Sequence, residues 1–188
     1  MVRFTVADFV IEADRDLSEP AHLSLKKHLG FVNQYLPDIE KAPLFAPRII
    51  RDIRWAAGRA RAKPLNVLDG ALIDRLGHDL LRQTKELVME KGGNHFLRVR
   101  EDHQLKISDR LMLEIDPKDT PCGICVKPGV VVISPSGALA AAAAAALENF
   151  SLEEGLKKAK KIKGLSGILI YQGERMGIVG KVKILSID

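Results

Sequence analysis

The cysteines are the first residues whose type and spacing could do chemistry. Cys122 and Cys125 form a Cys-x-x-Cys segment, a spacing that serves a redox couple or half of a zinc site. A thioredoxin-like couple needs its first thiol at the start of a helix, but residues 126–129 predict a turn. Zinc needs two further ligands, and the sequence has neither a second cysteine pair nor a His-x-His pair. We therefore predict two reduced, structural thiols.

A glycine turn is the second feature that could do chemistry. Gly92, Gly93 and Asn94 precede His95 at a predicted turn, where backbone amides without a nearby Cβ can approach a phosphate. None of the five histidines of the chain stands in a nucleophile or metal motif. The alternative interpretation is a plain tight turn between two strands.

The third feature is a basic segment from Arg48 to Lys63, which carries six basic residues and one acid, Asp52. Its spacing of three places Arg48, Arg51 and Arg54 on one helix face, where guanidinium groups could bind phosphates. We favour the alternative of a solvated face, or of salt bridges at an oligomer interface.

Composition limits the classes of protein that these residues can belong to. The 188 residues are 46% apolar and 28% charged, with 29 basic and 24 acidic side chains and a net charge of +5. This suits one ordinary globular domain and excludes a disordered chain. The longest apolar run, residues 138–147, is too short to span a bilayer, and no signal-peptide pattern is present. We expect a cytoplasmic protein with no membrane partner.

Periodicity predicts the elements that must position these residues. Helical spacing predicts helices over 18–36, 49–58 and 68–80, an alanine-rich helix over 137–148 and a lysine-rich helix over 152–161. Alternating or short apolar runs predict strands at 2–6, 9–11, 86–89, 96–99, 105–115 and 130–133, with a closing meander over 167–185. The fold class is α+β.

Four segments, in this order, resemble a known family: PLNVLDGAL at 64–72, MEKGGNHFL at 89–97, GICVKPG at 123–129 and ALAAAAAAALEN at 138–149. They are similar to segments of the ApbE-like flavin transferase superfamily, in particular of its short, uncharacterised prokaryotic branch. The run 159–182 also resembles the closing helix and meander of that branch. The resemblance implies one compact ApbE-like α+β domain over 1–188, with partial T-fold likeness and a mixed or antiparallel sheet packed with helices.

Active members of that superfamily bind FAD and transfer FMN to a protein threonine using Mg²⁺, so the resemblance implies FAD or FMN as a ligand. The Asp and Thr that supply the family's metal ligands correspond here to Ala141 and Ala145. The Gly-Gly-Asp carboxylate corresponds to Asn94, and neither Asp nor Thr occurs anywhere between 126 and 149. A methyl group cannot coordinate magnesium. We therefore expect no metal and no Mg²⁺-dependent transferase activity.

The leading hypothesis is an ApbE-like protein that retains a pocket for a nucleotide or another anion. The predicted ligand-binding residues are Lys91, Gly92, Gly93, Asn94, His95 and Lys127. In this hypothesis the ammonium groups of Lys91 and Lys127 hold the anion where the family uses a metal.

Three other hypotheses stay open. One is a homo-oligomeric structural protein without a small ligand. Another is a divergent, active transferase that uses relocated polar groups such as Asp69, His95 or Asp116. The third, ranked below these, is nonspecific nucleic-acid binding through the segment 48–63.

Overall fold

The centre of the protein is an antiparallel sheet that carries helices on one face and a smaller sheet on the other. The computed structural model describes residues 1–187. The strands are β1 Val2–Val6, β2 Phe9–Ala13, β3 Leu87–Lys91, β4 Asn94–Arg98, β5 His103–Lys106, β6 Leu111–Ile115, β7 Cys122–Lys127, β8 Val130–Ser134, β9 Gly167–Gln172, β10 Arg175–Gly180 and β11 Lys183–Ile187. The large sheet has the order β1-β2-β3-β4-β7-β8-β9-β10, and the small sheet β11-β6-β5.

Five helices lie on one side of the large sheet: α1 Ser18–Tyr35, α2 Arg48–Ala60, α3 Leu68–Leu80, α4 Gly137–Leu147 and α5 Leu152–Ala159. Of these, α2 packs on α1, α3 and α4. Short 3₁₀ turns follow α1 at Leu36–Lys41, precede α3 at Pro64–Val67 and follow β6 at Pro117–Asp119. The helix that ends at Ala60 is followed by Arg61 in the left-handed conformation, with φ of 57°. None of the described helices is long and apolar enough to cross a membrane.

The two faces of the large sheet bury two separate hydrophobic cores. On the helix side, Phe96 and Met89 pack with the apolar faces of the helices. On the other side, Leu97 and Ile124 pack with Leu113 of the small sheet. Successive side chains of a strand point to opposite faces, so one strand such as β4 contributes to both cores. The α+β class with an antiparallel sheet is thereby confirmed.

Two predictions about strands are corrected by the structure. The residues after Cys125 do not form a turn at once, because β7 continues to Lys127 and only Pro128 and Gly129 turn the chain. The last strand does not extend the meander of β9 and β10. β10 ends at Gly180, which has φ of 77°, and β11 crosses to the small sheet, where it pairs with β6.

Candidate functional site

The turn between β3 and β4 is the centre of the candidate site, and its glycines are needed there. Gly92 and Gly93 have φ of 54° and 76°, a region that costs little only for glycine. A Cβ on Gly93 would lie 2.5 Å from the carbonyl oxygen of Val126, so the turn can approach β7 only with glycine at this position. The predicted turn is confirmed, and it lies directly beside the end of β7 that carries Lys127.

Lys91 is held on the helix side of this turn by two carboxylates. Its Nζ lies 2.9 Å from Asp69 Oδ1 and 3.2 Å from Asp8 Oδ2, and 4.8 Å from the centre of the Phe9 ring. Burial lowers the pKa of Lys91, but hydrogen bonds and charge attraction from both carboxylates outweigh this, so the net pKa is raised. Lys91 therefore stays charged, and its charge is already balanced by protein groups.

Lys127 has a comparable partner at the end of α4. Its Nζ lies 3.3 Å from Glu148 Oε2, and both side chains are about one-third exposed or less. An anion that binds through Lys91 and Lys127 must therefore compete with carboxylates for both ammonium groups. The sequence alone does not indicate these partners, because Asp8, Asp69 and Glu148 are distant in the chain.

Asn94 supplies an unpaired polar atom beside these ion pairs. Its Nδ2 donates to the carbonyl oxygens of Lys91 at 3.3 Å and Gly92 at 3.5 Å. Asn94 is only 7% exposed, and its Oδ1 is buried without a hydrogen-bond donor. A buried acceptor without a donor costs about 1–3 kcal/mol, so the site favours a ligand group or a water that donates to Asn94.

His95 lies on the opposite face of the sheet from Asn94. There it lines a cavity of about 410 Å³ between the two sheets. The other ionisable groups that line this cavity are Arg3, Glu12, Glu90, His103 and Lys106. Burial lowers the pKa of both His95 and His103, so both imidazoles are neutral near pH 7. The cavity therefore combines two neutral imidazoles with two acidic side chains, Glu12 and Glu90, and two basic ones, Arg3 and Lys106.

No motif in the sequence marks Glu12, Glu90 or His103 as members of a site. Their convergence depends on how the two sheets pack, which has no local signal. A signal did exist for His95 itself, because neighbouring residues of a strand must face opposite ways. Asn94 and His95 thus lie on opposite faces of the sheet, and the structure does not bring all six predicted residues to one face.

The positions that correspond to the family's metal ligands lie on α4, where α3 packs against it. Ala141 is 2% exposed, and a Cβ placed on Gly70 would lie 2.5 Å from the Ala141 Cβ and 2.4 Å from the Gly137 carbonyl oxygen. The helices are thus in direct contact where an aspartate and a metal would need space. Within residues 1–187, no group of three or more His, Cys, Asp and Glu residues could hold a metal ion. The residues present do not fit Mg²⁺.

The two cysteines are free and buried, as predicted. Cys125 faces the helix-side core and Cys122 the core under the small sheet, because three residues along a strand reverse the face. Burial raises the pKa of both thiols to about 12. Side chains on opposite faces of one strand cannot form a disulfide, and thiols with so high a pKa are poor nucleophiles.

The basic segment 48–63 does not form one continuous cationic face. Arg54 donates to the carbonyl oxygen of Ala42, while Arg59 donates to that of Lys163 at 2.8 Å and lies over the ring of Trp55. These contacts favour the structural interpretation of the segment over phosphate binding.

This arrangement of sheet, helices and hairpin is the ApbE-like fold. A point mutant of the flavin transferase ApbE from Vibrio cholerae matches with a TM-score of 0.64 and 10% identity, covering 95% of this chain and 96% of the other. The apo form of the flavinyl transferase ApbE from Pseudomonas stutzeri matches with a TM-score of 0.62 and 11% identity, covering 95% and 93%. At such low identity the likeness shows the fold alone, and at that level the resemblance is confirmed.

A more similar sequence is the UPF0280 protein MJ1526 of Methanocaldococcus jannaschii. It is 27% identical over 187 residues, which cover 83% of this chain and 75% of that protein. No family model matches the chain.

Proposed function

We propose that this ApbE-like protein binds an anionic or nucleotide ligand, with FAD or FMN as the first candidates, and does not carry out Mg²⁺-dependent flavin transfer. The observation that carries the second half is the contact between Gly70 and Ala141. A divalent cation promotes phosphoryl transfer by neutralising charge on the phosphates, and it needs several oxygen ligands to do so. At this contact the Gly70 backbone and the Ala141 methyl group lie too close together to admit even one more carbon atom, and neither residue carries a side-chain oxygen.

The binding half of the proposal rests on the surroundings of the β3–β4 turn. The turn offers a buried acceptor on Asn94, two ammonium groups with competing carboxylates, and a cavity lined by His95 immediately behind Gly93. An imide or amide N–H of a ligand would satisfy Asn94 Oδ1, and its phosphates would compete for Lys91 and Lys127. The Lys91 side chain is 18% exposed, so an approaching anion can contact only a small part of its surface.

The test is a titration of the protein with FAD, with and without Mg²⁺, followed by flavin fluorescence. We expect saturable binding whose affinity is unchanged by Mg²⁺, and no FMN transfer to a threonine-containing acceptor. Asn94→Leu removes the acceptor and should weaken binding about ten-fold or more. Lys157→Gln, a change of an exposed lysine on α5, serves as the control and should leave the affinity unchanged.

Each contrary result has a defined meaning. Binding that requires Mg²⁺, or FMN transfer that requires it, would contradict the loss of metal chemistry and support the divergent transferase. No binding of FAD in either condition would remove the flavin part of the proposal. Equal weakening in the Asn94 and Lys157 variants would show that the ligand binds away from the β3–β4 hairpin.

Association between copies of the chain is a second candidate function, favoured by one observation. Leu44 and Phe45, in the loop before α2, are 89% and 88% exposed. Leu65, in the 3₁₀ turn Pro64–Val67, is 64% exposed. Large apolar side chains exposed side by side are typical of contact surfaces. A monomeric mass in solution for the natural chain at high concentration would contradict this candidate. A dimer that the Leu44→Ser, Phe45→Ser double variant converts to monomer would support it.

A further inference from the structure

A second concave surface lies at the end of β4 opposite to the β3–β4 turn, and it is lined by several basic side chains. It is a depression of about 740 Å³ beside the end of α3 and the 3₁₀ turn Pro117–Asp119. Its ionisable lining side chains are Lys85, Arg98, Arg100 and Lys118, and its lining includes no carboxylate. Within the described chain, none of these four cations has a carboxylate oxygen within 4.0 Å, unlike Lys91 and Lys127 at the hairpin.

Nearby carboxylates have other contacts that account for them. Asp14 accepts hydrogen bonds from the Thr84 hydroxyl at 2.7 Å and from the Lys85 backbone N–H at 3.2 Å. Asp116 accepts the backbone N–H of Lys118 at 2.8 Å. These bonds fix the backbone of the segments that carry Lys85 and Lys118, while the two ammonium groups make no hydrogen bond or ion pair within residues 1–187.

Arg98 is positioned by the same turn. Its Nη1 donates to the Thr120 carbonyl oxygen at 3.0 Å, and the Thr120 hydroxyl donates to the Pro117 carbonyl oxygen at 2.8 Å. One corner of the guanidinium is thus held, and the other N–H groups make no hydrogen bond within residues 1–187. A guanidinium that is partly fixed loses less side-chain entropy when it binds a phosphate in bidentate fashion.

We propose that this depression binds a small organic molecule that carries two phosphoryl groups. Four like charges repel one another, and an anion of two or more charges would offset that repulsion. The remaining lining residues, Leu81, Val99 and Pro117 among them, offer apolar surface for the organic part. No aromatic residue lines the depression, so it lacks the stacking surface that binds nucleic-acid bases.

The test is calorimetric titration of the full chain with inorganic pyrophosphate as the probe. We expect saturable binding that the double variant Arg98→Gln, Arg100→Gln weakens about ten-fold or more, since each charge-assisted hydrogen bond contributes at least several-fold. The matched control Lys157→Gln, Lys160→Gln removes two exposed positive charges on or next to α5 and should change affinity less than two-fold. Should the arginine variant fail to fold, Lys85→Gln, Lys118→Gln makes the same test with exposed lysines.

Three results would overturn the proposal. Pyrophosphate that does not bind at millimolar concentration excludes the site. Equal weakening by the α5 control shows attraction by overall charge. Weakening by Lys91→Gln, Lys127→Gln, with no effect of the arginine variant, places the probe at the β3–β4 hairpin.

A single-stranded RNA oligonucleotide is titrated in parallel. RNA binding through Arg98 and Arg100 without pyrophosphate binding would assign the surface to a polyanion instead.

Discussion

At the scale of single residues, Lys91 places a fixed positive charge beside the β3–β4 turn. The ammonium group of Lys91 lies between the carboxylates of Asp69 and Asp8, and its cation needs no ligand set beyond them. A lysine charge is fixed to the chain and cannot be removed by a chelator. Ligand binding at the hairpin should therefore be insensitive to EDTA, whereas a metal-dependent relative would lose it.

The alanines of α4 give a prediction about stability. Ala141→Asp places a carboxylate at a position 2% exposed and in contact with α3, so we expect a loss of several kcal/mol in the free energy of unfolding. Ala145→Asp, one turn further at a half-buried position, is the matched control and should cost about 1 kcal/mol or less. Urea denaturation of both variants measures this. Equal losses would mean that Ala141 is not closely packed.

The buried histidine of the second cavity predicts a pH dependence. Because burial lowers the pKa of His95 in the folded state, the unfolded chain takes up the proton first as the pH falls. The free energy of unfolding should therefore decrease as the pH falls below about 6.5, the ordinary histidine pKa, until the pH drops below the folded-state value. His95→Gln should reduce that decrease, measured by urea denaturation at pH 7.5 and 5.5.

His22, which is exposed on α1, provides the control for this measurement. His22→Gln should leave the pH dependence as in the natural chain. If His95→Gln leaves it unchanged as well, the imidazole of His95 is not desolvated in the folded protein.

At the scale of elements, the contact between α3 and α4 depends on glycine. Gly70→Ala places a Cβ 2.4 Å from a backbone oxygen, so the helices must separate, and we expect a loss of about 1–3 kcal/mol or more. Gly58→Ala, at an exposed position of α2 with nothing within 4 Å of the new Cβ, should stabilise by about 0.5–1 kcal/mol. Thermal denaturation of the pair gives opposite shifts in Tm. A stabilised Gly70 variant would contradict the packing.

The elements also show how far the sequence alone leads. The five helices and the first hairpin were predictable because apolar spacing and turn residues are local signals. The route of β11 was not, because its choice between β10 and β6 depends on residues about seventy positions away. At the site, Lys91, Asn94 and Lys127 were predictable as neighbours through the family resemblance, while their carboxylate partners depend on long-range packing.

At the scale of the whole molecule, the buried thiols report on global unfolding. Cys122 and Cys125 lie in the two different cores, each 1% exposed and with a thiol pKa of about 12. Both should react with a thiol reagent only when the sheet opens, so their labelling rates should be equal and should rise together with denaturant. Mass spectrometry of partly labelled protein checks this. Rapid labelling of one thiol in native buffer would show that one core opens alone.

Because β11 pairs with β6, the small sheet cannot be completed during synthesis until the last strand has been made. The small sheet needs residues 183–187 as its outer strand, although β5 and β6 emerge from the ribosome long before them. While translation continues, the apolar side of the β5–β6 hairpin has one flank unpaired, and it waits for about seventy further residues to be made. A nascent chain arrested before residue 183 should therefore be sensitive to proteolysis around residues 103–115. Once β11 has left the ribosome and paired with β6, these residues should be protected.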